Sequence, residues 1–380
     1  MQIVLNEDQE LLAKTAADFV SEKSPVGRMR ELRDERDPDG FSRALWKEMA
    51  ELGWVGIPFS EAHGGAEMGL AELAVVLEAL GRNLAPEPFL STVLLGGQAL
   101  LLGGSDVQKA EWLPGVAAGD KLLALAHQEP KSRFDLHRVA TRAERDGDAW
   151  ILTGEKIAVL DGASADAIVV VARSDGAETD ETGITLFLVP ADTAGLRVER
   201  QWRVDSRQAA LLHLEGARVG AAAVVGTEGG GLPLLSQVID RATVGVAAEM
   251  LGSMSEAFER TLAYLRDRMQ FGVPIGSFQA LKHRAANLFI EIELCRSVVM
   301  AAARAVDEGL EEAPRLVSLA KARCSEAGVL VANEAIQMHG GIGVTDEHEI
   351  GFYLKRARAA ELTFGDAAWH RDRWARLAGS

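Results

Sequence analysis

The order of patterns along the chain predicts a mainly α protein with one β segment in its middle. Apolar residues recur at helical spacing from residue 6 to about 120, switch to short strand-like runs from about 122 to 226, and return to helical spacing from about 232. Helices, then strands, then helices point to segregated domains and away from an alternating βαβ sheet. At 380 residues the chain is long enough for several domains. We divide it into an N-terminal helical domain at 1–121, a middle β domain at 122–226 and a C-terminal helical domain at 227–380.

Each element has a local reason. Asn6 with Gln9 has the form of a capping box, and Leu12, Ala16 and Phe19 then share one helical face. FSRALWKEMAELGW and LAELAVVLEALGRNL repeat the spacing, whereas the Gly-rich VGIPFSEAHGGAEMG between them breaks it and reads as a loop. In the middle, LLALAHQ, AWILTGEKIAVL, DAIVVVARS, GITLFLVP and ALLHLEGARV read as strands between Asp, Gly and Ser turns. Helices return at 243–267, 278–308 and 315–338, the last opened by Pro314 and closed by Gly340-Gly341.

A formal net charge of -16, from 56 acidic against 40 basic side chains, excludes an overall basic footprint for nucleic acid or an anionic membrane. Any phosphorylated ligand must therefore meet a local positive site. No apolar run approaches the roughly 18 residues of a membrane span. The opening MQIVLNEDQELL lacks a basic n-region and an apolar h-region, and reads as soluble and unprocessed. The two cysteines, Cys295 and Cys324, suggest a reducing, cytoplasmic compartment. The chain has no Gly-x-Gly-x-x-Gly after a strand, no Walker loop, no His-Glu-x-x-His and no nucleophile elbow. His339 has no second ligand at metal spacing and reads as structural.

The passage MQFGVPIGSFQALKHR, residues 269–284, interrupts two long helical patterns with Phe271-Gly272 and Pro274-Ile275-Gly276. Together with NEDQELL, LWKEMAELGWVGIPFSEAHGG, EKIAVL, YLRDRMQFGVPIGSFQA and AIQMHGGIGV, in this order and spacing, it resembles the acyl-CoA dehydrogenase family across nearly the whole chain. The resemblance implies that family's fold: an N-terminal helical domain, a β-barrel-like middle domain and a C-terminal four-helix bundle. It also implies FAD, with the break between helices serving its pyrophosphate and adenosine, often across a subunit interface. Arg268 then supplies a charge-assisted fork, Gln270 an amide and Phe271 a packing surface, while Pro274 stops the first helix. Gln279 opens a helix whose free N–H groups favour an anion. Gln337 and Gly340-Gly341 match the family's Gln-x-x-Gly-Gly, where missing side chains admit the adenosine. Each residue also has a plain reading: solvated charge, core aromatic or helix cap.

Members of this family remove an α proton with a Glu while the β hydrogen leaves as hydride to the flavin. Here the two positions for that Glu fall on Gly365 and Ala242. Asp366 and Asp240 lie nearby, and Asp366 is the candidate displaced base. Where the family has Thr-Glu-Pro-x-Ala-Gly-Ser-Asp this chain reads HQEPKSRFD, keeping Glu129-Pro130 and Asp135 but gaining Lys131, Arg133 and Phe134. Where it has Trp-Ile-Thr or Trp-Ile-Ser this chain has Ala158-Val159-Leu160, and for Thr-Ser-Gln it has Ala367-Ala368-Trp369. The elements a subunit presents to its own flavin ring are degraded; those it presents to a neighbour remain. This resembles the base-lacking subunit of bacterial α2β2 acyl-CoA dehydrogenases, which handle bulky or unusual thioesters such as steroid side chains. It implies an acyl-CoA substrate, a catalytic partner chain and an electron-transfer flavoprotein as acceptor. The alternatives are a self-sufficient homotetramer with a displaced acid, a flavin oxidase or monooxygenase of the same fold, and a structural protein without flavin.

Overall fold

The computed structural model describes residues 4–379, so the ends of the first and third expected segments, residues 1–3 and 380, lie outside the described residues. In chain order the α-helices are α1 (Glu7–Lys23), α2 (Val26–Asp34), α3 (Arg43–Glu51), α4 (Leu70–Arg82), α5 (Gln98–Gly103), α6 (Asp106–Ala117), α7 (Leu232–Asp267), α8 (Gln279–Asp307), α9 (Ala313–His339), α10 (Ile350–Leu362) and α11 (Ala367–Leu377). The strands are β1 (Leu123–Ala126), β2 (Arg142–Asp146), β3 (Ala149–Leu160), β4 (Ala167–Arg173), β5 (Ile184–Pro190), β6 (Leu196–Trp202), β7 (Gln208–Gly220), β8 (Val224–Val225), β9 (Met269–Gln270) and β10 (Val273–Pro274).

The chain forms two compact units, one of residues 1–35, 69–85 and 243–380, the other of 36–68 and 86–242. In the first, α1 starts with the expected capping box: Gln9 N–H donates to Asn6 Oδ1 at 2.8 Å, and Asn6 N–H to Gln9 Oε1 at 3.1 Å. Helices α8, α10 and α11 all pack on α9, which has proline in its first turn and stops at Gly340 with φ +67°. Helix α7 begins at Leu232, ahead of the expected 243, because Pro233 sits in a first turn whose N–H groups have no intrahelical partner to lose. Asp240 is consequently a mid-helix residue. Cys295 and Cys324 are both buried thiols.

Two glycines let α4 and α7 cross with their backbones in contact. A Cβ on Gly252 would stand 1.9 Å from the Glu78 carbonyl oxygen, and one on Gly81 would stand 2.2 Å from that of Glu249.

In the second unit an eight-stranded sheet has the order β6-β7-β3-β2-β4-β5-β8, with β1 added parallel to β4. Every residue of β4 is buried, and Ile168, Val170, Phe187, Leu212 and Leu214 form one cluster with Trp150. The Trp150 and Phe187 rings meet edge to face at 5.4 Å. The five apolar runs of the sequence became β1, β3, β4, β5 and β7. Strand β2, RAERD, is mostly charged and β6, LRVERQW, mixes charged and apolar residues, so neither has an apolar run to announce it. On the interior strand β3, Lys156 Nζ donates to Glu129 Oε1 at 2.6 Å, and the same carboxylate accepts from the Ala140 and Thr141 N–H groups at 2.7 and 3.0 Å.

The glycine crossing gives a direct test. Gly252→Ala is expected to lower the urea unfolding free energy by about 3 kcal/mol, at the upper end for an overpacked site. Gly27→Ala, on α2 with nothing within 4 Å of the added atom, is expected to be neutral or to stabilise by about 0.5 kcal/mol. Equal effects would remove the backbone-contact explanation.

Candidate functional site

The interruption seen in the sequence is a tight hairpin. Helix α7 has already ended at Asp267, so Pro274 does not stop it; that residue lies in β10. Strands β9 and β10 pair Gln270 with Val273 and Met269 with Pro274, leaving Phe271 and Gly272 as a two-residue turn with φ +53° and +78°. Two consecutive left-handed residues make the hairpin turn whose twist matches paired strands. Phe271 is a costly residue for that position, yet it is 91% exposed and meets Phe278 edge to face at 6.1 Å. The chain then turns through Ile275–Ser277 and enters α8 at Gln279.

This turn and the C-terminal end of α9 enclose a cleft of about 670 Å³. Arg268, Gln270, Phe271, Gln337, Gly340 and Gly341 all line it. Gln279 does not, although its neighbours Phe278 and Leu281 do. Among the described residues the Arg268 guanidinium has no ion-pair partner. A Cβ on Gly340 or Gly341 would meet nothing within 4 Å, so both glycines border open space. Gly340 also needs its φ of +67° to end α9.

One wall was not legible in the sequence. Tyr264, one helical turn before Arg268 on α7, stacks on His339 at 4.5 Å with 25° between the rings. His339 in turn lies 4.8 Å from His348. Its Nδ1 lies 2.7 Å from the Ala335 carbonyl oxygen, to which it donates, and burial holds its pKa below the ordinary histidine value. His339 is thus a neutral wall residue. Among the described residues no group of three or more His, Cys, Asp or Glu side chains is placed to hold a metal ion, and no helix is long and apolar enough to cross a membrane.

The position implied for a base has a different character. Gly365 has φ +122°, and a Cβ there would stand 2.6 Å from the Trp369 ring and 2.8 Å from His370 Nε2. Asp366 caps α11, accepting from the Trp369 N–H at 2.9 Å. Beneath this turn Lys321, fully buried on α9, donates to the Gly365 carbonyl at 2.7 Å, the Glu361 carbonyl at 3.0 Å and Ser325 Oγ at 3.0 Å. His370, also buried, has Nε2 3.2 Å from the Phe364 carbonyl oxygen. Burial lowers the Lys321 pKa to about 7 and that of His370 to about 3.

Three profiles of one family match successive parts of the chain. The profile of the acyl-CoA dehydrogenase N-terminal domain matches residues 6–120, that of the middle domain 124–217 and that of the C-terminal domain 229–378. The chain belongs to the acyl-CoA dehydrogenase family. This is a family of oxidoreductases acting on CH–CH groups. Acyl-CoA dehydrogenase FadE12 of Mycobacterium tuberculosis is 31% identical over 364 residues, covering 94% of this chain and 92% of that protein. Butyryl-CoA dehydrogenase from Megasphaera elsdenii superposes with a TM-score of 0.92 at 26% identity, covering 100% of both chains. The ChsE4-ChsE5 complex from Mycobacterium tuberculosis gives 0.90 at 30% identity, covering 100% of this chain and 99% of that one.

Lys321 gives this acyl-CoA dehydrogenase homologue a specific pH dependence. Its unfolded value is 10.5 and its folded value about 7, so between those pH values the unfolded chain binds more protons and stability rises with pH. Lys321→Met is expected to flatten the stability curve over that window by up to about 1.4 kcal/mol per pH unit relative to wild type. Parallel curves for the two proteins would show that Lys321 does not titrate there.

Proposed function

We propose that this chain is a subunit of an FAD-dependent acyl-CoA dehydrogenase and completes a cofactor site with a catalytic partner chain. The observation that carries this reading is the contrast between two glycine positions. Gly340 and Gly341 leave open space beside an unpaired arginine, whereas Gly365, where the family's base is expected, has no room for a side chain. The chain therefore keeps a place for someone else's cofactor and lacks a place for its own base.

The donor set of the cleft fits the pyrophosphate–adenosine end of FAD. Arg268 offers a planar fork for phosphate oxygens, Gln270 and Gln337 offer amides, and the glycine pair admits close approach of a flat group. FAD, when bound, accepts the hydride of the desaturation. This chain's residues hold and orient its distal end, and the neutral Tyr264–His339 wall keeps that end against apolar surface. Phe271, exposed in a strained conformation, suits a surface covered by a second chain or by the cofactor.

In the middle segment the family's small residues are replaced by a bulky turn. Arg133 has φ +47°, its guanidinium lies 5.1 Å from the Phe134 ring, and its carbonyl accepts from Gln128 Nε2 at 3.0 Å. Such a turn gives no flat backbone surface for a flavin ring. Asp366, the candidate displaced acid, is committed to the cap of α11, which argues against a self-sufficient enzyme. The substrate is an acyl-CoA thioester, with bulky or unusual acyl groups expected of a paired assembly, and an electron-transfer flavoprotein is the acceptor.

Flavin stoichiometry tests the reading. Purified alone, the chain is expected to carry little FAD; co-expressed with a base-bearing homologue, the pair is expected to carry about one FAD per two chains, bleached by its acyl-CoA. Near-full occupancy in the chain alone, with the flavin bleached by an acyl-CoA, would instead favour the self-sufficient enzyme. Within the pair, Arg268→Ala is expected to weaken FAD retention roughly 10- to 100-fold, the loss of a charged hydrogen bond, with both chains still folded. Gly365→Glu is expected to destabilise the chain and to give no turnover without the partner. Measurable turnover by that variant alone would overturn the closed-position argument.

A further inference from the structure

The segment that follows the glycine pair is gripped from outside by α2. Arg33 forks onto the Asp346 carboxylate, with Nη1 to Oδ1 at 3.0 Å and Nη2 to Oδ2 at 2.9 Å. Arg30, one turn earlier, reaches Asp346 Oδ2 and the Glu347 carbonyl, each at 3.2 Å, and also donates to the Asp346 carbonyl. Both guanidinium groups lie over the ring of Phe352, at 4.6 and 5.2 Å from its centroid. Phe352 is buried, and Lys355 adds a third cation 3.7 Å from Asp346. An isolated surface ion pair holds little, but a two-toothed fork that shares its carboxylate and stacks on a buried ring is a network.

His348 carries this anchorage inward. Its Nδ1 accepts from the Ile350 N–H at 3.2 Å, which sets the ring orientation, and its ring lies 4.8 Å from His339. His339 stacks on Tyr264, and these two rings line the cleft. A continuous path thus runs from α2 through Asp346 and His348 to the cleft wall. We propose that Arg30 and Arg33 are positioning residues for the anion half-site, fixing its wall and its glycine segment through Asp346 and the stack of Tyr264, His339 and His348. Neither arginine lines the cleft itself. This inference rests on the half-site reading above.

The test uses the intact chain, with ADP as the probe for the pyrophosphate–adenosine end. Asp346→Asn and the double variant Arg30→Ala/Arg33→Ala are compared with wild type by hydrogen–deuterium exchange, thermal unfolding and ADP titration. Amides of residues 340–348 are expected to exchange about tenfold faster and ADP to bind about fivefold more weakly, with the thermal midpoint nearly unmoved, because surface pairs add little global stability. A lowered midpoint without local change at 340–348 would mark a merely structural network and overturn the proposal. Arg268→Ala separates the two layers. ADP binding that depends on Arg268 but not on Asp346, with exchange unchanged, overturns the positioning role alone. ADP binding indifferent to Arg268 removes the half-site, and the positioning role with it.

Discussion

The reversal between α7 and α8 is the constraint on which the rest of the cleft depends. The backbone turns through Phe271 and Gly272 with both residues left-handed, and only then can Arg268 and Gln270 stand on one side of the cleft while α8 starts at Gln279 on another. A phenylalanine in that conformation costs about 1–2 kcal/mol, and with 91% of it exposed its own chain recovers little of that by burial. Backbone strain held at a solvent-facing aromatic belongs with surfaces that meet something else.

What could be read from the sequence was whatever is local. Asn6 with Gln9, Pro314 and Gly340 mark helix ends because caps act over three or four residues, and the apolar β4 announced itself by composition. Strands β2 and β6 did not, since they are held by neighbours in the sheet and charged residues interrupt their own pattern. The same division holds at the cleft. That Arg268, Gln270, Phe271, Gln337, Gly340 and Gly341 belong together was implied by the resemblance of their motifs to the family, and they line one cleft. Gln279 was legible as a helix start, but spacing does not give the direction of a side chain, and the structure leaves it off the lining. The contact between Arg33 and Asp346 joins residues 313 apart in sequence. No local pattern contains it.

Glycine carries opposite meanings at the two ends of the C-terminal helices. At 340 and 341 its lack of a side chain leaves a concavity; at 365 it is the residue that fits a space already taken by Trp369 and His370, over a turn that Lys321 ties to α9. Residue type alone does not distinguish an invitation to a ligand from a plug.

That plug has a consequence for any redesign of the turn. In this chain the space beside residue 365 is filled: a Cβ on Gly365 would collide with two aromatic rings and force a backbone that only glycine adopts readily. A side chain at 365 would require Trp369 and His370 to move or change with it. A substitution at 365 alone therefore opens no room for a longer side chain.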